Sequence, residues 1–420
     1  MDYKEIRNYI KEKDKLGSVF GLETINGLLF RLGNPERRIP CIHIAGTNGK
    51  GSIMAYIEET LIEAGMRVGR YISPTIFSYR ERWMLNHEWA SEEDVVWAIS
   101  KVKEIDDELG SRATAFEIET AAAFLLFDKW GCDIMLIECG MGGELDATNV
   151  FDNTALNILA SVSRDHMNVL GDTIEEITGT KLGIVRESST LISYPQVKAS
   201  MDVIKEYSDK NEVNLIIPDT KQLEVLAEGI NGSEFIYKGE RFKIKIGSHY
   251  QILNAITAIE ALNVLESITV SDIRKGLENT SWDARLSVIG KDPYIIVDGA
   301  HNEDAWLRLR ESLEKYFTNE QIIYIISVLA DKEYEKMIEI LSPTAYHVYT
   351  VQSKNPRALL KERLAELFNG KGINAEARDD VIGALKDAVS LSQSLNDNNP
   401  IVICGTLSIT GEVLKCKELI

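Results

Sequence analysis

A lysine and a hydroxyl group stand close together in a glycine-rich segment near the start of the chain. The segment reads Gly46-Thr47-Asn48-Gly49-Lys50-Gly51-Ser52. A mainly apolar run at 42–45 leads into it, and residues 53–64 after it have apolar side chains at helical spacing. Backbone N–H groups and a helix N-terminus attract anions, and small residues let the chain approach them closely. Lys50 would neutralise phosphate oxygens and Ser52 would reach Mg²⁺, so the segment predicts a loop that binds nucleotide phosphates.

The loop departs from the strict phosphate-loop pattern at two positions. Ile44 stands where that pattern has glycine, and Gly51 separates the lysine from the hydroxyl of Ser52. A glycine-rich turn without a ligand is therefore the alternative. Three glycines, a lysine and a hydroxyl within seven residues favour phosphate binding, because glycine weakens a turn that does not need its conformational freedom.

Polar side chains also follow three other apolar runs. Ser73, Glu138 and His166 each lie after a strand-like segment, as the glycine loop does. Because the carboxyl ends of parallel strands meet at one edge of a sheet, we expect these side chains to face one crevice. Near a nucleotide, Glu138 would hold Mg²⁺ directly or through water, and His166 could be a further ligand. Taken singly, each could be a turn or structural residue, and Lys181, in a helical pattern, could be solvent-exposed.

A second group of ionisable residues lies towards the C-terminus. Asp298 and His301 belong to the segment 298–302, Asp-Gly-Ala-His-Asn, which follows an apolar run and precedes a helical pattern. A carboxylate and an imidazole at a strand-to-helix turn indicate a cluster that faces a ligand, whereas a simple tight turn would need neither side chain. A simple turn is the alternative at this position.

Strand-like and helical segments alternate over most of the chain. A length of 420 residues is too great for one hydrophobic core. The alternation predicts an α/β protein with an N-terminal, P-loop-type, doubly wound ATPase domain at 1–288. A smaller Rossmann-like α/β domain is predicted at 289–420. Between 213 and 247 the pattern changes to shorter strand-like pieces, which are predicted to belong to the first domain.

The composition limits the classes of function. A formal net charge of −19 argues against nucleic-acid binding, so an anionic substrate would have to be attracted by local cations. The five cysteines form no CxxC pair and are expected to be buried thiols in a reducing compartment. The charged N-terminal segment is unlike a signal peptide, and no apolar run reaches the roughly 20 residues that cross a bilayer. A cytoplasmic protein without nucleic-acid or membrane partners is expected.

Three classes of function fit the residues considered so far. They are a phosphoryl-transfer enzyme such as a kinase or NTPase, an ATP-dependent ligase, and a non-catalytic nucleotide-binding module. A second α/β domain with its own Asp and His favours an enzyme with a second substrate. The candidate metal ligands argue against a passive module.

With these motifs, the chain resembles the folylpolyglutamate synthase and dihydrofolate synthase family of the Mur ligase superfamily. The resemblance covers nearly the whole chain, and the loop at 46–52 is similar to the family's own variant of the phosphate loop. The other segments that carry the resemblance are 73–74 with 79–82, 116–117, Glu138 with 142–149, 165–166 with 170–171, and 298–302.

The resemblance implies a role for each matching position. The residues implied to bind ATP are Gly46, Thr47, Asn48, Gly49, Lys50, Gly51, Ser52, Asn254, Arg285 and Asp298. Those implied to bind Mg²⁺, expected as two ions, are Ser73, Glu138, His166 and Lys181, the last as a carbamate that makes it an anionic ligand. Those implied to surround the pterin are Phe116, Leu145, Asp146 and Ala147. The implied catalytic residues are Lys50, Lys181 and His301.

The implied activity is the ATP-dependent addition of L-glutamate to a folate or pteroate. The acceptor carboxylate would attack the γ-phosphate of ATP, and the amino group of glutamate would then attack the acyl phosphate, so that ADP and phosphate are released. A related Mur-type ligase with a non-folate acceptor is the alternative. The expected partners are these small molecules alone, and a monomer is expected.

Several positions near the acceptor depart from the family's pattern. Thr75 stands where many members have histidine, Glu144 replaces a frequent arginine, and Thr180 replaces the glutamate before the lysine. The usual Pro-Gly-Arg is Asp-Ala-Arg at 283–285. The nucleotide and metal positions match, so the departures concern the identity of the acceptor.

Overall fold

The computed structural model describes two compact units. The residues that it describes are 1–15, 17, 21–110, 112–152, 154–165, 167–318, 321–395 and 398–416. The first unit spans 1–223 and 253–279, and the second spans 224–252 and 280–420. His166, a predicted metal ligand, lies outside the described residues.

The first unit is built on alternating strands and helices. Its strands are β1 (Cys41–Ala45), β2 (Val68–Tyr71), β3 (Trp83–Leu85), β4 (Glu88–Trp89), β5 (Ile134–Glu138), β6 (Leu156–Leu159), β7 (Thr190–Ser193) and β8 (Asn214–Ile216). Its helices are α1 (Tyr3–Asp14), α2 (Glu23–Arg31), α3 (Lys50–Glu63), α4 (Glu92–Leu109), α5 (Ala115–Trp130), α6 (Met167–Leu170), α7 (Ile174–Leu182), α8 (Lys198–Lys210), most of α9 (His249–Asn263) and α10 (Val270–Asn279).

These strands form one sheet whose central part is parallel. Among the described residues it has eight strands in the order β4-β3-β2-β5-β1-β6-β7-β8. The six strands β2-β5-β1-β6-β7-β8 pair in parallel. The strands β3 and β4 add an antiparallel edge beside β2. The predicted doubly wound parallel sheet is confirmed. The antiparallel edge was not predicted, because its strands are only two and three residues long.

The register places the candidate residues at one edge of this sheet. Ile44 in β1 pairs with Glu138 in β5 on one side and with Ile158 in β6 on the other. Every residue of β1 and β5 is buried, as expected for central parallel strands covered by helices on both faces. The carboxyl ends of β1, β2, β5 and β6 therefore lie side by side.

The second unit contains two further sheets. Its strands are β9 (Leu223–Gly229), β10 (Gly232–Tyr237), β11 (Glu240–Ile244), β12 (Ser287–Lys291), β13 (Tyr294–Val297), β14 (Ile322–Ile326), β15 (Ala345–Thr350), β16 (Asn374–Ala377) and β17 (Ile401–Cys404). Its helices are α11 (Glu303–Tyr316), α12 (Tyr334–Leu341), α13 (Lys361–Gly370), α14 (Val381–Ser394) and α15 (Leu407–Lys415). Within the described part of this unit, the strand orders are β11-β10-β9 and β12-β13-β17-β14-β15-β16.

The larger sheet of the second unit is parallel except for β12, which pairs antiparallel with β13. Its core contains Trp306 and Tyr324, both fully buried. This sheet with helices between its strands confirms the smaller α/β domain predicted from the sequence.

The compact units do not follow a single cut in the chain. The predicted boundary at 288/289 falls nine residues after the start of the segment 280–420, and residues 224–252 group with the second unit and not with the first. Contacts of Glu228 explain this grouping: its carboxylate accepts a hydrogen bond from Tyr316 at 3.0 Å and pairs with Lys315 at 2.9 Å. Sequence order alone could not predict such a return of the chain.

Candidate active site

The glycine loop predicted to bind phosphates connects β1 to α3. Gly46 has φ of +148°, and a Cβ there would lie 2.7 Å from the Cβ of Ala160. Gly49, the residue before α3, has φ of +89°. The amides of Thr47 and Asn48 donate to the carbonyl oxygen of Ser161 at 2.8 and 3.1 Å. Glycine is thus required by close packing at the first position and by left-handed backbone at the second.

Two lysine side chains converge on this loop. The Nζ of Lys50 donates to the carbonyl oxygen of Gly46 at 3.1 Å and to that of Thr47 at 3.3 Å. The Nζ of Lys181, which comes from α7, donates to the same oxygen of Gly46 at 3.2 Å. Lys181 is only 4% exposed. The expectation that Lys181 could be a solvent-exposed residue of a helix surface is therefore wrong.

The second lysine is electrostatically unfavourable as a cation. Burial and the neighbouring charge of Lys50 lower the pKa of Lys181 to about 8. The Oε1 of Glu138 lies 3.7 Å from the Lys50 Nζ. The two lysines are therefore partly compensated by acids: Glu138 lies near Lys50, and the charges of Asp165 and Asp146 act on Lys181 against the lowering of its pKa.

Glu138 is the last residue of β5, and Ser73 follows β2 by two residues. The two strands are neighbours, with Tyr71 opposite Ile137, so both oxygen-bearing side chains lie at the same edge of the sheet as Lys50. Among the described residues, no group of three or more His, Cys, Asp or Glu side chains is arranged as a metal site. A site with few protein oxygens can still bind Mg²⁺, because this ion commonly keeps water and phosphate ligands.

Asn254 reaches the loop from α9. A Cβ at Gly49 would lie 2.8 Å from its Oδ1, so the asparagine packs against the turn that begins α3. Asn254 is 2% exposed. The structure thus brings together Gly46, Gly49, Lys50, Glu138, Lys181 and Asn254, which are six of the predicted positions.

A second glycine loop, at 140–143, follows β5. A Cβ at Gly140 would lie 2.5 Å from the Cζ of Phe116, and one at Gly143 would lie 2.6 Å from the carbonyl oxygen of Lys181. Phe116 is held at the start of α5 by a capping box between Thr114 and Glu117. This loop therefore joins the predicted acceptor residue Phe116 to the helix that carries Lys181.

The predicted acceptor residues after this loop differ in exposure. Leu145 is 48% exposed, whereas Asp146 and Ala147 are each 7% exposed. The carboxylate of Asp146 accepts hydrogen bonds from the Met141 amide at 2.7 Å and the Thr148 amide at 2.9 Å. Asp146 therefore closes the segment 141–148 into a compact loop.

The second unit holds the other predicted cluster. The Asp298 carboxylate accepts from the amides of Leu286 and Ala300, each at 2.8 Å. Burial raises the pKa of Asp298, and the nearby charge of Arg285 acts against this. His301 Nδ1 lies 2.8 Å from the carbonyl oxygen of Gly299. A Cβ at Gly299 would lie 2.5 Å from Nη1 of Arg285, so glycine leaves room for the guanidinium.

Known proteins share both the sequence and this architecture. Residues 44–262 match the Mur ligase middle domain, and residues 284–407 match the Mur ligase glutamate ligase domain. A protein of Bacillus subtilis named dihydrofolate synthase/folylpolyglutamate synthase is 32% identical, and the alignment covers 98% of each chain. The folylpolyglutamate synthase of Lacticaseibacillus casei is also 32% identical over 98% of each chain. This chain belongs to the folylpolyglutamate and dihydrofolate synthase family of Mur ligases.

A solved structure of the same family has the same fold. The folylpolyglutamate synthase of Mycobacterium tuberculosis, complexed with ADP and AMPPCP, superposes with a TM-score of 0.89. It is 25% identical to this chain, and the match covers 99% of this chain and 98% of that one. The predicted family and fold class are confirmed, whereas the roles of the individual site residues stay predictions.

One departure from the family's pattern has a direct structural consequence. Ala284 stands where the family pattern has glycine, and its φ is +57°. A left-handed conformation costs an alanine about 1 kcal/mol more than a glycine. Because Ala284 is fully buried next to Arg285, the strain is maintained by the packing around it.

Sequence reasoning assigned no role to His43 or to Ser163. The Thr47 hydroxyl donates to the Ser163 carbonyl oxygen at 3.0 Å and accepts from the Ser163 amide at 3.1 Å, which fastens the glycine loop to the chain after β6. His43 was visible as a polar residue within the apolar run that leads into the loop. Ser163 gave no comparable signal, because its contact joins segments 116 residues apart.

Replacing Lys181 by methionine tests the electrostatic cost of this site. A pKa lowered from 10.5 to about 8 means that the unfolded chain binds more protons than the native state between these values. We expect Lys181→Met to raise the free energy of unfolding by up to about 3 kcal/mol below pH 8. The gain should shrink as the pH rises towards 10.5, since the native lysine is then neutral.

The measurement is urea unfolding of both proteins between pH 6.5 and 10 in bicarbonate-free buffer. Lys205→Met, at an exposed position of the adjacent helix α8, is the matched control and should show no such pH-dependent difference. If the free energies of unfolding of wild type and Lys181→Met differed by the same amount at every pH, a lowered pKa of Lys181 would be contradicted.

Proposed function

We propose that this protein is an ATP-dependent ligase that adds L-glutamate to a folate, and releases ADP and phosphate. The observation that carries the proposal is the 32% identity, over 98% of the chain, to relatives named as synthases of this kind. The loop with Lys50 and the ADP-bound solved relative support ATP as the phosphoryl donor. Addition to dihydropteroate, as the name dihydrofolate synthase describes, is a further activity to be tested.

The residues of the first unit suit an acyl-phosphate mechanism. Lys50 would shift from the carbonyl oxygens of the loop to the γ-phosphate and stabilise its negative charge. The acceptor carboxylate attacks the phosphorus in line and ADP leaves. The glutamate amine then attacks the acyl carbon and phosphate leaves. The protein contributes mainly position and charge stabilisation.

Each domain has its own part in this proposal. Residues 1–288 would bind ATP and the folate, and residues 289–420 would form the glutamate ligase domain, in keeping with the matched family domains. Asn254, Arg285, Asp298 and His301 would contact the nucleotide. Every helix of the described chain is too short or too polar to cross a membrane. Action as a monomer in the cytoplasm stays a prediction from the sequence.

The function is tested by measuring ADP release with different acceptors. Tetrahydrofolate, dihydropteroate and a UDP-muramyl acceptor would each be supplied with and without L-glutamate. We expect ADP and phosphate to form when a folate acceptor and L-glutamate are both present. If the UDP-muramyl compound were the only acceptor that supported turnover, the alternative of a non-folate Mur-type ligase would be favoured. A phosphorylated product that forms without any amino acid would indicate a kinase and overturn the proposal.

Magnesium would be held by Glu138 and Ser73 at the strand ends, together with His166. When bound, the ion would neutralise charge on the phosphates. We expect Glu138→Gln to raise the Mg²⁺ concentration needed for half-maximal turnover and to lower the maximal rate by about 100-fold. Glu144→Gln, which alters an exposed acid directly after the second glycine loop, is the control. Identical Mg²⁺ titrations for wild type and Glu138→Gln would exclude Glu138 as a ligand.

Lys181 would carry a carbamate and thereby become an anionic metal ligand. Its burial and the neighbouring charge of Lys50, which together lower its pKa to about 8, favour a neutral amine, which is the form that reacts with carbon dioxide. We expect a carbamate signal in the ¹³C NMR spectrum of protein equilibrated with ¹³C-bicarbonate, and no such signal in Lys181→Met. Active wild-type protein that lacks the signal would remove this claim.

A further inference from the structure

A buried histidine of the strand before the phosphate loop contacts the predicted acceptor segment. His43 lies in the middle of β1 and is fully buried. Its Nε2 lies 2.8 Å from the Thr148 hydroxyl oxygen. The ring is packed edge-on against Phe151, with centroids 5.7 Å apart. Burying a polar side chain inside a central strand costs free energy unless its polar atoms are hydrogen-bonded.

The hydrogen bonds of Thr148 determine which atom carries the proton. The Thr148 hydroxyl donates to Oδ1 of Asp146 at 2.6 Å. A threonine hydroxyl has only one proton, so it can only accept at the histidine contact. His43 must therefore donate from Nε2–H. Its Nδ1 is buried without a hydrogen-bond partner among the described residues, which agrees with a neutral ring that leaves this nitrogen unprotonated.

The charge state of the ring is consistent with this assignment. Burial, with the charge of Arg186 acting in the same direction, lowers the pKa of His43 to about 3. A neutral Nε2–H tautomer is therefore stable over the whole physiological pH range.

The chain of hydrogen bonds ends at the loop that contains the predicted acceptor residues. Asp146 receives the Thr148 hydroxyl and amide on Oδ1 and the Met141 amide on Oδ2. The loop held in this way packs Gly140 against Phe116 and Gly143 against the Lys181 carbonyl. A change in the direction of the Thr148 hydroxyl would thus be transmitted to both sides of this loop.

We propose that His43 is a positioning residue for the acceptor site, acting through Thr148 and Asp146. By donating to the hydroxyl oxygen it directs the single Thr148 proton to Asp146, which holds the loop at 141–148 in its binding conformation. The inference rests on the proposed function, because the loop is assigned to the folate acceptor. The proposed role of His43 concerns binding of the acceptor and not binding of the phosphates, although the phosphate loop directly follows the strand that contains His43.

Two substitutions separate the hydrogen bond from the volume of the ring. His43→Leu removes the donor, whereas His43→Gln keeps an N–H donor near the position of Nε2. We expect His43→Leu to raise KM for the folate acceptor by about tenfold or more, the size expected for the loss of a buried hydrogen bond, with KM for ATP within about twofold. His43→Gln should recover most of this loss. Equal defects in both variants would overturn the proposal.

Thr148 provides an independent test at the next link. Thr148→Val should raise the acceptor KM as His43→Leu does, and Thr148→Ser, which keeps the hydroxyl, should stay close to wild type. The double variant His43→Leu/Thr148→Val should be little worse than either single variant, since both break the same chain of bonds. Fully additive effects of the two single variants would show that they act separately.

A spectroscopic measurement distinguishes failure of this inference from failure of the proposed function. Long-range ¹H–¹⁵N correlation spectra of the ligand-free protein should show His43 as the Nε2–H tautomer, with no titration between pH 5 and 8. A protonated ring or an Nδ1–H tautomer would overturn the inference even if the ligase activity is present. Absence of folate-dependent turnover in wild type would instead count against the proposed function, whatever the tautomer.

Discussion

Two lysine side chains share one backbone oxygen, and the electrostatics of the glycine loop depend on this contact. Lys50 and Lys181 both donate to the carbonyl oxygen of Gly46, at 3.1 and 3.2 Å, although one begins α3 and the other comes from α7. Positive charges on two groups that bind the same oxygen repel each other, and burial of Lys181 removes the water that would weaken the repulsion. The repulsion is relieved if an anion enters, if Lys181 loses its proton, or if its amine becomes a carbamate.

Close packing around glycine holds these groups in place. Gly46 faces Ala160, Gly49 faces Asn254, and Gly143 faces the Lys181 carbonyl, each at a distance that a Cβ would make impossible. Each contact joins the loop after one strand to a separate part of the unit. The glycines are therefore needed for the approach of neighbouring elements, apart from the anion binding predicted for the loop.

In the second unit, a carboxylate holds the candidate residues in place. Asp298 uses its carboxylate to hold the amides of Leu286 and Ala300, and it fixes the turn that carries Arg285. Ala284 adopts left-handed backbone within that turn, so the packing maintains a conformation that glycine would adopt freely.

The sequence by itself determined the parallel core of the sheet, the order of the loops at its carboxyl edge and the family of the protein. These depend on local patterns: buried strands that are apolar throughout, glycine loops, and polar residues directly after strands. Tertiary structure alone decided that Lys181 is buried beside Lys50, that residues 224–252 join the C-terminal unit, and that His43 reaches Asp146 through Thr148. Each of these depends on contacts between segments far apart in the chain. Periodicity reports which face of a helix or strand is apolar, but it does not report which neighbour that face meets.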